Sequence, residues 1–217
     1  MQMDEDLMLR CEIIKTGIEL LKKGLIQGTG GNISAKTKDG FFLITPSGMD
    51  YTALSPEDIV TMDLDCNVVN GCRKPSIEKN MHKAILALRP DINAVVHTHS
   101  IYATSVAAAR KPIPPITDNQ VAVFGGTVPV SDYAPIGSEA LARNAAAVLG
   151  KGYGALLANH GALCVGVDLK EALFRCEMLE TFARIFILSQ IAGGGITLNE
   201  EEIKKEAEDL NRLYGQG

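Results

Sequence analysis

Three short runs, Ala94–Val96, Ala155–Ala158 and Leu163–Val165, are apolar at every residue. A strand built from such a run has no polar face to offer water, so it must be covered on both sides. The chain supplies helices to cover it. Residues 4–23 place Leu7, Cys11, Ile14, Ile18 and Leu21 on one helical face and stop at Gly24. Ser76 is expected to cap a helix to about Leu88, and Ser100 one to about Arg110. Ser138 opens a helix that Gly150 closes, Asp168 caps a long one to about Ile191, and Asn199 a charged last one near Tyr214. Asn32–Lys36 and Phe41–Thr45 read as a hairpin around Lys38-Asp39-Gly40; Val60–Leu64, Val68-Val69 and Thr127–Val130 read as further strands. Interspersed strands and helices predict an α/β fold: a three-layer sandwich with a central mixed β-sheet flanked by helices, in a single domain over 1–217.

Composition narrows the class of function. With 46% apolar and 22% charged residues in 217, the chain can bury one sizeable core. It has 21 Lys+Arg against 26 Asp+Glu, a formal charge of −5, and no basic run longer than two. Nucleic acid is therefore not an expected partner. The longest uncharged apolar stretch, 185–198, contains Ser189, Gln190 and three glycines and is shorter than the roughly 20 residues a membrane span requires. No membrane partner is expected. Residues 1–10 carry three acids and no apolar signal core, and Cys11, Cys66, Cys72, Cys164 and Cys176 are odd in number without Cys-x-x-Cys spacing. Both features point to reduced thiols in the cytoplasm.

The chemistry gathers at strand ends. His97-Thr98-His99 closes an apolar strand, and alternation at period two aims both imidazoles to one side of the sheet. His160, in the tight Asn159-His160-Gly161 turn between two apolar strands, offers a third ring. Three imidazoles suit a divalent transition metal and leave a coordination place open. A lone His-x-His is as readily an exposed strand end. Glu78 stands at a helix start, where the dipole favours an ionised carboxylate, and His82 follows one turn later on the same face. That pair reads either as an exposed helical surface or as a carboxylate that ligates a metal and shuttles a proton. Gly28-Thr29-Gly30-Gly31-Asn32 with Ser34, Thr45-Pro46-Ser47-Gly48, and Ser76 at a helix N-terminus are small hydroxyl- and glycine-rich turns suited to an anion, though each alone is equally a plain turn.

Taken together, Gln27–Ser34, Ile44–Gly48, Lys74–Glu78, Ala94–His99 and Asn159–Gly161 resemble, in order and spacing, the class II aldolase/adducin-type family over about residues 4–215. Within that family the pattern is most similar to the L-fuculose-1-phosphate aldolases. The resemblance implies one divalent ion per subunit, Zn²⁺ first and Mn²⁺ or Co²⁺ next, held by His97, His99 and His160, with Glu78 as fourth ligand and acid/base. It also implies a substrate phosphate cradled by Thr29, Gly31, Asn32, Ser47, Gly48 and Ser76. The implied reaction is cleavage of a ketose 1-phosphate to dihydroxyacetone phosphate and an aldehyde by a homotetramer.

Two positions depart from the family pattern. Ile77 replaces a second serine beside Ser76, removing one hydroxyl from the phosphate. Asp118 falls where a tyrosine is expected to handle the aldehyde-side proton, and Tyr214 resembles the tyrosine lent by a C-terminal tail. Tyr133 fits a family loop and is assigned only packing. Asp118 raises a pentulose-5-phosphate 4-epimerase as the alternative on the same metal site. A dehydratase of the same family, or a binding module such as the adducin head, are the further readings; the last has no need of four retained ligands.

Overall fold

A computed structural model describes the backbone of residues 2–213 and the side chains of residues 5–209. Its strands are β1 (Asn32–Lys36), β2 (Phe42–Ile44), β3 (Val60–Met62), β4 (Val68–Asn70), β5 (Ala94–Thr98), β6 (Gly154–Leu157) and β7 (Gly161–Gly166). Its helices are α1 (Gln2–Lys22), α2 (Lys79–Leu88), α3 (Ile101–Ala108), α4 (Asp118–Phe124), α5 (Glu139–Leu149), α6 (Leu169–Ile191) and α7 (Glu200–Leu213). The strands form one seven-stranded sheet in the order β4-β3-β2-β1-β5-β7-β6.

Alternation along each strand divides the core in two. Ala94 and Val96 of β5, Leu156 of β6, and Ala162 and Cys164 of β7 pack with α1, α3 and α6 through Ile13, Leu20, Val106, Leu179 and Phe182. Val95, Ala155, Leu157, Leu163 and Val165 face the other way, against Met81 and Ile85 of α2 and Leu141 and Leu149 of α5. The α/β three-layer class follows directly. Every ladder between named strands is antiparallel. The parallel component expected of a mixed sheet is a single bridge between Val130 and Leu156. Short turns joining β1 to β2, β3 to β4 and β6 to β7 impose antiparallel pairing on those three pairs, because parallel neighbours need a crossover of a dozen residues or more.

Thr127–Val130 does not make a strand ladder: Val128 pairs once with Ile113 and Val130 once with Leu156. Helix α2 begins at Lys79, later than expected, because Ser76 Oγ accepts from Glu78 N at 3.2 Å and makes a local turn, leaving Glu78 at the cap. Helix α4 was not expected. Thr117 Oγ1 accepts from Gln120 N, and Gly125 ends the helix in the left-handed region at φ 74°. Asp168 and Ser138 cap α6 and α5 as read from the sequence.

One close approach ties α1 to the site. Gly17 lies against Tyr51, which is buried and donates its hydroxyl to Gly31 O at 3.0 Å. A Cβ at Gly17 would lie 2.0 Å from the Tyr51 ring. Gly17→Ala is therefore expected to destabilise by about 1–3 kcal/mol, outweighing the roughly 1 kcal/mol that alanine gains over glycine inside a helix. A thermal melt unchanged or raised by this substitution counts against the contact.

Candidate metal centre

Three rings and one carboxylate meet where β5 ends. His97 sits in β5 between Asn32 of β1 and Leu163 of β7, and its ring lies on the α2 side of the sheet with Val95. His99 follows just past the strand and shares that side. His160 arrives from the β6–β7 turn, where Asn159 adopts a left-handed φ of 57°. Gly161 allows this turn to close, since a Cβ there would lie 2.3 Å from Thr98 O and 3.1 Å from His97 Cε1.

The ring centroids of His97 and His99, and of His97 and His160, are each 4.7 Å apart; His99 and His160 are 5.2 Å apart. The nitrogens that the three rings offer lie within 4.8 Å of one another. Glu78 brings Oε2 to 3.3 Å from His97 Nε2 and Oε1 to 3.5 Å from His160 Nε2. His97 donates Nδ1–H to Ala162 O at 2.9 Å, which leaves its Nε2 lone pair bare toward the cluster.

These groups fit a cation. Glu78 Oε1 and both ring nitrogens of His160 are buried without a hydrogen-bond partner. An unmet buried polar atom costs about 1–3 kcal/mol, and an ion bound in the cluster would relieve Glu78 Oε1 and the His160 nitrogen that faces it. His97 Nε2 and His99 Nε2, 2.9 Å apart, would repel as two bare lone pairs unless a proton or a cation lay between them. Burial, then the neighbouring His160 and His99 rings, hold the His97 imidazolium well below the usual histidine range. Burial, then the His160 ring, also lowers His99, which Glu78 partly offsets. Neutral imidazole is the metal-binding form.

The hydroxyl turns are brought to the same end of the sheet. Gly31, at φ 71°, lies so close to β5 that a Cβ would fall 2.5 Å from His97 O. Ser47 N donates to Lys74 O and Ser76 N to Thr45 O, which joins the Ser47-Gly48 turn to Ser76. Ser47, Gly48 and Thr29 are exposed, and Ser76 is buried. Asn32 is buried with its amide engaged: Nδ2 donates to Glu78 Oε2 at 2.8 Å, and Oδ1 lies 2.5 Å from His82 Nε2. Nδ2 carries two protons, so one remains for a ligand.

Asp118 is exposed at the first position of α4, its Oδ1 accepting from Asn119 N, and is not among the groups that converge. Tyr214 lies outside the described residues. Tyr133 is exposed, with the Arg110 guanidinium 5.8 Å from its ring centre. The Glu78–His82 pair is no exposed surface: Glu78 is 2% exposed and His82 not at all, and burial brings the His82 ring down to about 3. Ser34, read only as part of the glycine-rich turn, also belongs to the site, 2.6 Å from His82 Nδ1. Its alternation with Asn32 along β1 was the available signal.

The Class II Aldolase and Adducin N-terminal domain matches the chain over residues 11–187, and the chain belongs to that family. It is an enzyme, an aldehyde-lyase of the class II type, in a family that is metal-dependent. It is 36% identical to a 5-deoxy-D-ribulose 1-phosphate aldolase of Bacillus thuringiensis, across 95% of this chain and 97% of that one. It is 40% identical to a 5-methylthioribulose-1-phosphate/5-deoxyribulose-1-phosphate aldolase of Rhodospirillum rubrum, across 95% and 92% respectively. A solved L-fuculose 1-phosphate aldolase superposes with a TM-score of 0.90 at 39% identity, covering 94% of this chain and 96% of that one. The epimerase alternative is not favoured beside these relatives. No helix among the described residues is long and apolar enough to cross a membrane.

Two buried rings set an acid limit. His82 and His97 are lowered by burial from the ordinary histidine value of about 6.5, so below that pH the unfolded chain binds protons that the native chain refuses. Stability is full above that pH and falls as pH drops through it. Urea unfolding of metal-free protein between pH 7.5 and 5.5 is expected to lose up to about 1.4 kcal/mol per pH unit for each ring. A flat profile would mean that water reaches both imidazoles.

Proposed function

We propose that the chain cleaves a ketose 1-phosphate, of the L-fuculose 1-phosphate or 5-deoxypentulose 1-phosphate kind, to dihydroxyacetone phosphate and an aldehyde. The observation that carries this reading is the meeting of three imidazoles with a buried carboxylate oxygen that has no hydrogen-bond partner. His97, His99 and His160 would hold the ion, most simply Zn²⁺, with Glu78 as the fourth ligand. When bound, the ion supplies a positive charge that polarises the ketose carbonyl and stabilises the negative charge left by C3–C4 cleavage.

The protein's own groups handle the rest. The Gly31-Asn32 backbone and remaining amide proton, with Thr29, Ser47, Gly48 and Ser76, orient the phosphate and fix C3 relative to Glu78. The hydroxyl proton at C4 leaves, the C3–C4 electron pair stays with the three-carbon fragment, and Glu78, having taken up a proton from solvent, passes it to C3. Asp118 and Tyr214 are the groups proposed for the C4 hydroxyl proton, with Tyr214 supplied across a subunit boundary in a homotetramer. Ile77, 54% exposed, offers no hydroxyl, so in this turn the phosphate relies on Ser76 and the backbone. Five free thiols suit a reducing, cytoplasmic setting.

Incubation with ketose 1- and 5-phosphates, with and without a chelator, is expected to release dihydroxyacetone phosphate from a 1-phosphate only when metal is present. Pentulose interconversion without triose release overturns the assignment. Glu78→Gln is expected to fold and to lower turnover on the order of a hundredfold or more. Near-native turnover would remove Glu78 from its role.

A further inference from the structure

A polar chain runs from β1 into the metal centre. Ser34 Oγ lies 2.6 Å from His82 Nδ1, His82 Nε2 lies 2.5 Å from Asn32 Oδ1, and Asn32 Nδ2 lies 2.8 Å from Glu78 Oε2. All four side chains are buried, Ser34 and His82 completely. With a neutral ring, chemistry leaves one placement of the protons. A carboxylate only accepts, so Asn32 turns its NH₂ to Glu78 and its Oδ1 to His82. His82 therefore carries its proton on Nε2, its Nδ1 is a bare acceptor, and the Ser34 hydroxyl donates to it.

The spacing behind this chain is regular on both elements. Asn32 and Ser34 alternate on one face of β1, and Glu78 and His82 stand one turn apart at the start of α2, so a strand pair and a helix pair interlock. Glu78 depends on the outcome. Its Oε1 has no hydrogen bond, and the Asn32 amide is the hydrogen-bond donor to Oε2. A half-turn of that amide would set Oδ1 against the carboxylate, and the His82 Nε2–H is the group that prevents it.

We propose that Ser34 and His82 are positioning residues of the cleavage reaction, locking the Asn32 amide so that it holds Glu78 in line with the three imidazoles. The proposal rests on the lyase reading above and adds two residues that act on Glu78 through Asn32. Ordinary packing would need only residues of similar volume at these places. Positioning needs an N–H facing Asn32 and an O–H behind it.

The test separates the donated proton from the packing. Glutamine at 82 can set an N–H near the place of Nε2, whereas the shorter asparagine cannot reach it. In Zn²⁺-loaded protein, His82→Asn is expected to lower kcat by about tenfold or more with KM within about twofold, His82→Gln to recover to within about threefold of the native chain, and Ser34→Ala to fall between. Hydrogen exchange of the Asn32 side-chain amide, followed by NMR in ¹⁵N-labelled protein, is expected to be slow in the native chain and His82→Gln. It should be about tenfold faster in His82→Asn and Ser34→Ala. The proposal is overturned if folded His82→Asn keeps native kcat and slow exchange, or if His82→Gln is as impaired as His82→Asn. Should His82→Asn fail to fold, Ser34→Ala decides by the same two measurements. A native protein that releases no dihydroxyacetone phosphate sinks the lyase reading instead, and amide exchange still decides whether Ser34 and His82 hold Asn32.

Discussion

The register of β5 is the constraint on which the site depends. His97 is paired across one ladder with Asn32 and across the other with Leu163, three residues past His160. Because side chains alternate at period two, this pairing sends His97, Asn32 and Ser34 to the α2 side and leaves Ile33, Ala94 and Val96 in the opposite core. A slip of one residue would bury the imidazole among leucines and turn Val96 toward Glu78. The apolar residues on the two faces of β5 therefore determine the position of the polar ones.

A second consequence is electrostatic. One carboxylate and four imidazoles lie in or beside a poorly solvated volume, and burial keeps His82 and His97 neutral. A neutral ring is indifferent in charge but particular in direction: it donates from one nitrogen and accepts at the other. His97 spends its donor on Ala162 O and turns its lone pair to the centre, whereas His82 does the reverse and spends its donor within the polar chain. The two rings have opposite tautomers because their backbone and side-chain partners differ, and of the two only His97 thereby turns a lone pair toward the cluster.

Much of this was legible in the sequence. Unbroken apolar runs, Ser138 and Asp168 as caps, and His-x-His at a strand end gave the layers, two helix starts and the paired rings, since each is decided within a few residues. What was not legible depends on distant partners. Helix α4 is short and is specified by Thr117 and Gly125, weak signals inside a proline-rich connection. The antiparallel character of the sheet follows from which strands become neighbours, a matter of packing. The burial of Glu78 and His82 was missed for the same reason: on a helical wheel they are polar, and only β1, 46 residues away from Glu78, supplies the hydrogen bonds that make their burial affordable.

Several departures from local rules meet at this end of the sheet. Asn159 is left-handed without being glycine, Gly31 and Gly161 touch β5 backbone where no Cβ fits, and buried acceptors on Glu78 and His160 go unmet. Elsewhere among the described residues Cys66 and Arg110 are also left-handed, at φ 66° and 52°, and Thr104 Oγ1 and Gln120 Oε1 are also buried without a partner. Each departure costs on the order of 1–3 kcal/mol, and such costs persist only where the surroundings over-determine the geometry. Here they do: β5 is laddered on both edges, and α2 and α6 pack on the two cores on either side of the sheet. A frame held this firmly can keep bare lone pairs aimed at one another, which is the condition a cation needs and a relaxed protein interior would not sustain.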